Sequence, residues 1–252
     1  MTTDLHRFGD AGPAFASPSQ RSLDYYLILS EPGRAPSSAK VDGILVEEFE
    51  FAEDSSTIAL RGAGWTAGEW WDATSFSRRL RTEEELRRRL VTARRDRVEH
   101  VYRRFGTGEL PAETTLRSYF GVGDSSVFSP PLRLGLAEAG DGFDETRVYR
   151  ILFTNDLSRD GLAALLDGWR MTVAEDVSRP ATRVVGSARL RVADDLFTWD
   201  LRRVGPGVAW AVDLTANLAV AGAGERVGPL LRVLTAAARD QGLIPVTIDR
   251  FS

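Results

Sequence analysis

The sequence predicts an α+β protein in which antiparallel β-meanders are backed by long helices and arranged in two lobes. Short runs rich in β-branched and aromatic residues, bounded by turn residues, occur in both halves of the chain and are typical of meander strands. Longer stretches with apolar residues at helical spacing accompany these runs. The composition, 43% hydrophobic and 27% charged, is that of a globular protein rather than a disordered one.

Composition shifts divide the chain into four predicted segments. Residues 1–22 are rich in small residues and proline without periodicity, so we expect a flexible N-terminal arm. Residues 23–120 form an N-terminal α+β half, and residues 146–252 form a C-terminal half in the order β-α-β-β-β-α-β. Between the halves, residues 121–145 are loaded with glycine, proline, serine and aspartate, which favours a connecting segment.

In the N-terminal half, the sequence predicts a meander followed by a long helix. Thr82 and Glu85 have capping-box spacing and predict a single helix over residues 82–105. A shorter helix is predicted over residues 112–120. The meander strands are predicted at residues 23–30, 43–51 and 56–61.

In the C-terminal half, two amphipathic helices are predicted, over residues 158–177 and 226–241. Gly242 follows the second helix in the position of a C-cap glycine. The strands are predicted at residues 147–154, 183–192, 196–203, 208–216 and 244–250.

The register of the C-terminal meander follows from matching the apolar faces of its strands. Pairing Val192 with Phe197 and Arg203 with Val208 places the apolar side chains of three strands on one face. We therefore expect four-residue loops in both hairpins and a polar opposite face.

The residue inventory excludes several kinds of chemistry. The chain contains no cysteine, which rules out thiolate metal sites, iron–sulfur clusters and cysteine nucleophiles. Its two histidines, His6 and His100, have no carboxylate evidently placed to orient them as general bases. No glycine-rich phosphate loop occurs. The sequence therefore predicts no catalytic residue, no metal site and no cofactor.

Charge and hydropathy indicate a soluble cytoplasmic protein. Residues 1–7 lead into no apolar run and no stretch is apolar enough to span a membrane, so we expect neither a secretory signal nor a membrane partner. The net charge of −4 and the pI near 5.4 disfavour nucleic acid as a partner. Arginine outnumbers lysine throughout the chain, as expected of a GC-rich bacterial coding sequence.

The first candidate binding surface combines an arginine-rich helix with a tryptophan-rich loop. Residues 78–104 hold eleven arginines and five acidic residues. Such a ridge can bind an acidic partner, although a charge run is also typical of a solvated helix face. Trp65, Trp70 and Trp71 lie in a glycine-punctuated connection, where they serve either as interface hot spots or as packing residues. The arginines predicted to bind are Arg87, Arg88, Arg94, Arg95, Arg103 and Arg104.

The second candidate is the polar face of the C-terminal meander, where the register above sets Arg189 opposite Asp200. Small residues beside paired charges can form a shallow ligand pocket, but arginine–aspartate pairs on a wet sheet face are also ordinary stabilisation. The predicted ligand residues are Arg189, Arg191, Asp200, Arg202 and Asp213. Glu47, Glu48 and Glu50 form an acidic cluster that we expect on a solvated strand edge.

We therefore expect a non-enzymatic binding protein of the adaptor, chaperone-like or inhibitor/immunity type, acting on another protein through the arginine-rich helix and the tryptophan loop. The alternative is a cofactor-independent enzyme or small-ligand-binding protein that uses aspartate and arginine groups of the C-terminal sheet. Nucleic-acid binding is the third hypothesis.

Overall fold

The computed structural model describes residues 22–31, 40–106, 108–121, 137–174, 176–177, 179, 181–205 and 209–252. Within these ranges the chain forms two antiparallel β-sheets and six helices, which confirms the mixed α+β class. The predicted N-terminal arm lies outside the described residues except for Ser22. Most of the predicted connecting segment, residues 122–136, lies outside them as well.

The first sheet has five strands in the order β4-β3-β2-β1-β5, so β4 and β5 are its two edges. Its strands are β1 (Asp24–Leu29), β2 (Val41–Phe51), β3 (Thr57–Thr66), β4 (Glu69–Asp72) and β5 (Leu90–Ala93). Its helices are α1 (Thr74–Thr82), α2 (Glu84–Arg87), α3 (Arg95–Arg104) and α4 (Glu113–Arg117). One face of the sheet packs against α3 and α4, and the other packs against α1.

The second sheet has six strands in the order β11-β6-β10-β9-β8-β7. Its strands are β6 (Glu145–Thr154), β7 (Thr172–Val173), β8 (Val184–Val192), β9 (Asp195–Val204), β10 (Ala209–Leu218) and β11 (Ile244–Arg250). Its helices are α5 (Arg159–Gly168) and α6 (Val227–Asp240). Both helices pack on one face, whose buried aromatic and aliphatic side chains form the largest core cluster of the described residues.

The single long helix predicted over residues 82–105 is wrong. The chain instead forms α1, α2, the edge strand β5 and then α3. Thr82 ends α1, and its hydroxyl donates a hydrogen bond back to the Arg79 carbonyl rather than capping a new helix. Leu90 and Ala93 pair with Ile28 and Tyr25 of β1, so sheet pairing has overridden the helical periodicity of this segment.

The remaining helices are also shorter than predicted, and neither the long helices nor the two-lobed arrangement is confirmed. The longest helix of the described residues, α6, has 14 residues. The predicted helix over 158–177 begins where expected, because the Ser158 hydroxyl caps it by accepting a hydrogen bond from the Gly161 N–H. It ends early, at Gly168. None of the helices in the ranges given above is long and apolar enough to cross a membrane.

The predicted register of the C-terminal meander is wrong by two residues in both hairpins. Val192 pairs with Asp195 across a two-residue turn, in which Ala193 adopts a φ of 52°, and Val204 pairs with Ala209. Because side chains alternate with a period of two, an even offset keeps every side chain on its predicted face. The apolar face is therefore the one expected, while each cross-strand partner differs.

The two sheets are joined through α6 and β11. Ile244 pairs with Thr154 in the second sheet, while its side chain packs in the first-sheet cluster that contains Tyr26, Leu45 and Leu80. On the same side, the Thr92 hydroxyl of β5 donates a hydrogen bond of 2.8 Å to the carbonyl of a C-terminal α6 residue. Elements of the C-terminal half therefore complete the packing of the N-terminal half.

Candidate functional site

The three tryptophans predicted to bind lie on different faces of the first sheet. Trp65 on β3 and Trp70 on β4 are directly paired and share the face that packs against α3. Trp71 points to the other face, as the strand period requires, where it packs edge-on against Phe76. Trp65 is 3% exposed, whereas Trp70 and Trp71 are half-buried. The predicted loop is thus a hairpin, closed by Ala67 and Gly68, both with positive φ.

Around Trp70 the structure assembles a group of aromatic side chains from three elements. The Trp70 ring stacks on Tyr119 with centroids 5.5 Å apart, and its Nε1 donates to the Tyr102 hydroxyl at 3.3 Å. Behind it, Trp65 contacts Tyr102 and Phe105, with ring centroids 5.3 and 4.7 Å apart. Phe105 and Tyr119 remain 39% and 36% exposed. We call Trp70, Phe105 and Tyr119 the aromatic surface.

Arg103 and Arg104 are the predicted arginines that directly precede a residue of the aromatic surface, Phe105. They are exposed in the last turn of α3, and Arg103 is paired with Glu99. Together with Arg97, which is also exposed, they outnumber Asp96 and Glu99 on the solvent side of α3 and leave it an excess of positive charge. The structure therefore unites the end of the arginine-rich segment with one of the predicted tryptophans.

The other predicted arginines are held elsewhere by bonds within the protein. Arg87 donates to the Leu80 carbonyl, and Arg88 pairs with Glu84 one turn away. These residues lie beside β5, at the opposite sheet edge from Trp70 and Trp71. Arg94 also lies at the β5 edge, where its Nη2 donates to Asp240 of α6 at 2.6 Å.

Arg95 is half-buried and bonds within the protein rather than facing a partner. Its guanidinium donates to the Tyr25 hydroxyl at 2.6 Å and to the Pro111 carbonyl at 2.9 Å, and Tyr25 in turn donates to Glu113. Burial is the main cause that raises the pKa of Tyr25 to about 12. Arg95 thereby ties α3 to β1 and to the start of α4.

On the second sheet, the structure brings together only part of the predicted ligand set. Arg189 and Arg191 are exposed on β8, and Arg189 stands opposite Thr198 rather than Asp200. Asp200 accepts a hydrogen bond from the Ser187 hydroxyl at 2.6 Å. The other two predicted residues, Arg202 and Asp213, are bonded to each other, and Asp213 is also bonded to Arg150, which was not among the predicted ligand residues.

Asp213 bridges two arginines from neighbouring strands. Arg150 of β6 donates to it through Nε and Nη2 at 2.6 and 2.8 Å, and Arg202 of β9 donates through Nη1 at 2.8 Å. The sequence places Arg150 in the middle of a predicted strand, but it does not show which strands are neighbours. Beside this group lies a pocket of about 450 Å³, whose described lining is Arg150, Ala181, Arg183, Arg202, Arg203, Val204 and Gly205.

The prediction of a solvated strand edge for the glutamate cluster is wrong, because β2 lies between β1 and β3 and Glu47 is fully buried. Arg81 of α1, whose side chain is 6% exposed, donates to both Glu47 carboxylate oxygens at 2.6 and 2.8 Å. Its Nε also donates to the Pro245 carbonyl of β11. Glu47 points inward because strand alternation places it on the face that packs against α1 and β11.

Next to this pair, Asp24 and Arg239 form a second ion pair between the sheets, at 2.7 Å. Burial raises the pKa of Asp24, although the charge of Arg239 opposes the rise. The adjacent cavity, of about 150 Å³, is smaller than the roughly 300–1,000 Å³ of ordinary ligand pockets. We therefore interpret this buried network as a connection between the sheets rather than as an acid–base site.

Glu145 gives a pH-dependent prediction. Hydrogen bonds from Arg147 outweigh partial burial, and with the Gly222 N–H they lower the pKa of Glu145 to about 2. The stabilisation is therefore full above the unfolded-state pKa of about 4.3 and is lost as the pH falls towards 2. We expect Glu145→Gln to lower the free energy of unfolding by about 1–2 kcal/mol at neutral pH, after allowance for solvent screening.

Urea unfolding of both proteins over a series of pH values checks this. The difference between wild type and Glu145→Gln should narrow steadily as the pH is lowered through the window from about 4.3 to 2. Glu84→Gln, in an exposed pair with Arg88, is the control and should change stability little at any pH. A difference that is constant with pH would show that the Glu145 charge is not its source.

Comparison with known proteins adds no assignment: no protein-family model, no curated protein and no solved structure matches the chain. Among the residues that the structure describes, no group of three or more histidine, aspartate or glutamate side chains is arranged to hold a metal ion.

Proposed function

We propose that the chain is a non-enzymatic cytoplasmic binding protein that recognises another protein through the aromatic surface and the basic end of α3. The observation that carries the proposal is that the partly exposed rings of Trp70, Phe105 and Tyr119, from three separate parts of the chain, are linked by ring contacts through Trp65 and Tyr102. Tryptophan and tyrosine are favoured hot-spot residues because they bury a large apolar area at low conformational cost.

The charge beside the patch indicates the kind of partner. Arg97, His100 and Arg104 share the exposed side of α3, and Arg103 adds a guanidinium that is already paired with Glu99. The chain as a whole is acidic, with a net charge of −4, so this basic patch stands out against its surroundings. Charge complementarity favours a partner with an acidic rim around an apolar contact.

The partner should therefore bind with a salt-dependent association and an apolar centre. Exposed charges at the rim of an interface mainly raise the association rate, and salt screens them. The aromatic centre, in contrast, should control the lifetime of the complex. Mutating the aromatic residues should change the lifetime of the complex, whereas raising the ionic strength should change its association rate. The two contributions can therefore be measured separately.

The test is the double substitution Phe105→Ala with Tyr119→Ala. The partner is captured from the native host with the wild-type protein, identified by mass spectrometry, purified and titrated. Loss of hot-spot contacts worth about 2 kcal/mol or more predicts at least about 30-fold weaker binding by the double variant.

The matched control removes two exposed apolar side chains from other surfaces, Val173→Ala with Val220→Ala. It should bind the partner as the wild type does. If the two double variants bind the partner with equal affinity, the aromatic surface is not part of the interface. A photocrosslinking residue placed at position 119 should label the partner, while the same residue at position 220 should not.

A further inference from the structure

The arginine-lined pocket of the second sheet lies apart from the aromatic surface and has the size of a small-molecule site. Its volume of about 450 Å³ falls within the roughly 300–1,000 Å³ of ordinary ligand pockets. It opens at the end of the sheet where β8 begins and β9 ends, on the face that carries Arg150 and Arg202, opposite the face that packs α5 and α6. Four arginines and no acidic residue line it among the described residues.

Asp213 holds two of these guanidiniums in place. It accepts two hydrogen bonds from Arg150 and one from Arg202, so both side chains are ordered before any ligand arrives. A guanidinium carries five N–H donors. One carboxylate that accepts three bonds therefore cannot satisfy both groups, and donors remain for an anion on the pocket side.

The fourth arginine of the lining, Arg203, follows Arg202 in β9, so its side chain points to the opposite face, where Trp210 belongs to the core that packs α5 and α6. Arg203 donates to the carbonyls of Val177 and Thr182 at 2.9 and 3.3 Å, and it lies over the Trp210 ring at 5.0 Å from the centroid. Carbonyls orient the group without cancelling its charge. The Arg203 N–H also donates to the Arg183 carbonyl at 2.8 Å, which sets the exposed Arg183 at the rim of the pocket.

The chemistry of this lining is that of an oxyanion receptor. Arginines remain charged at any physiological pH, and their planar donors match the oxygens of phosphate or carboxylate groups. Asp213, Asp200 and Asp249 lie on the neighbouring part of the same face, but none of them is among the described residues that line the pocket. The lining guanidiniums outnumber Asp213, the carboxylate that is bonded to two of them, which favours an anionic ligand.

We propose that this pocket binds a small molecule through its phosphate group. A phosphate monoester carries a charge of about −1.5 to −2 at neutral pH and three acceptor oxygens, enough to engage Arg202, Arg183 and Arg150 together. A monocarboxylate offers one charge and two oxygens and leaves more of the lining unsatisfied.

Titration calorimetry with pyrophosphate tests the proposal at about 0.15 M salt, where exposed charges are screened. We expect saturable binding with a Kd below about 1 mM. Loss of one charged hydrogen-bonding group predicts about 10-fold or greater weakening for Arg183→Ala and for Arg202→Ala. Arg189→Ala, an exposed arginine on the same sheet and away from the pocket lining, is the matched control and should bind as wild type.

Three outcomes would overturn the assignment. The first is the absence of saturable binding to the folded wild type. The second is equal weakening by Arg189→Ala, which would show general attraction to a basic surface. The third is tighter binding of citrate than of pyrophosphate, which would favour carboxylates. If Arg202→Ala loses its circular-dichroism signature, Arg183→Ala decides alone, because that side chain is exposed.

Discussion

Replacing Arg81 by alanine is expected to lower the free energy of unfolding by about 3–5 kcal/mol, because it leaves Glu47 buried without its partner. Both Glu47 oxygens accept from this one guanidinium, and Glu47 is fully buried. The substitution also removes the hydrogen bond from Arg81 to the Pro245 carbonyl of β11. Urea unfolding followed by far-ultraviolet circular dichroism measures the loss.

Arg79 provides a matched control on the same helix. It also forms a two-bond pair, with Glu83, at 2.6 and 2.8 Å, but through Nε and Nη2 and with both side chains solvated. Arg79→Ala should therefore change the free energy of unfolding little. The double variant Arg81→Met with Glu47→Leu should recover much of the loss, since the buried charge is gone. Equal effects of Arg79→Ala and Arg81→Ala would contradict the buried pair.

Replacing Ile244 by alanine is expected to cost about 2–5 kcal/mol, the range for removing a buried isoleucine. The loss of stability should also extend to both sheets. Ile244 belongs to a strand of the second sheet and packs against Tyr26 and Leu45 of the first, so the loss should lower amide protection in both sheets.

Hydrogen exchange read out by mass spectrometry separates the two sheets. Peptides from β2 and from β9 should both exchange faster in Ile244→Ala, by similar factors. Val233→Ala, an exposed aliphatic substitution on α6, should leave both unchanged. Faster exchange in β9 alone would mean that the two sheets unfold as independent units.

Sequence patterns found most of the strands but misjudged the arginine-rich segment, and the cause is physical. Leu86, Leu90, Val98 and Val101 suggest one helical stripe, yet the run Leu90–Ala93 is short enough to satisfy either period. Its β-branched centre, Val91 and Thr92, was the available local sign of a strand. What decides the outcome is the unpaired edge of β1, a tertiary feature that no local window contains.

In the candidate sites too, local patterns predict which face a side chain lies on, whereas its neighbours from distant parts of the chain cannot be predicted locally. Strand alternation was sufficient to put Asp213 and Arg202 on one polar face, and it holds even with the register offset by two residues. The sequence does not place Arg150 next to Asp213, because β6 precedes β10 by some 60 residues. The position of β6 beside β10 depends on the order of strands in the sheet. Glu47 was misjudged because an acidic residue in a strand is normally solvated, and Arg81 comes from a helix 34 positions away.

The packing of Ile244 also has a consequence for how the chain is made. About 200 residues separate Leu45 from Ile244, so their contact contributes a very long loop to the folding reaction. Contacts of such separation form slowly, and synthesis produces the earlier partner first. During translation, α1 can therefore cover only part of the face around Tyr26 and Leu45 until β11 has emerged, and a nascent chain stalled before that strand would expose the remaining apolar surface to chaperones.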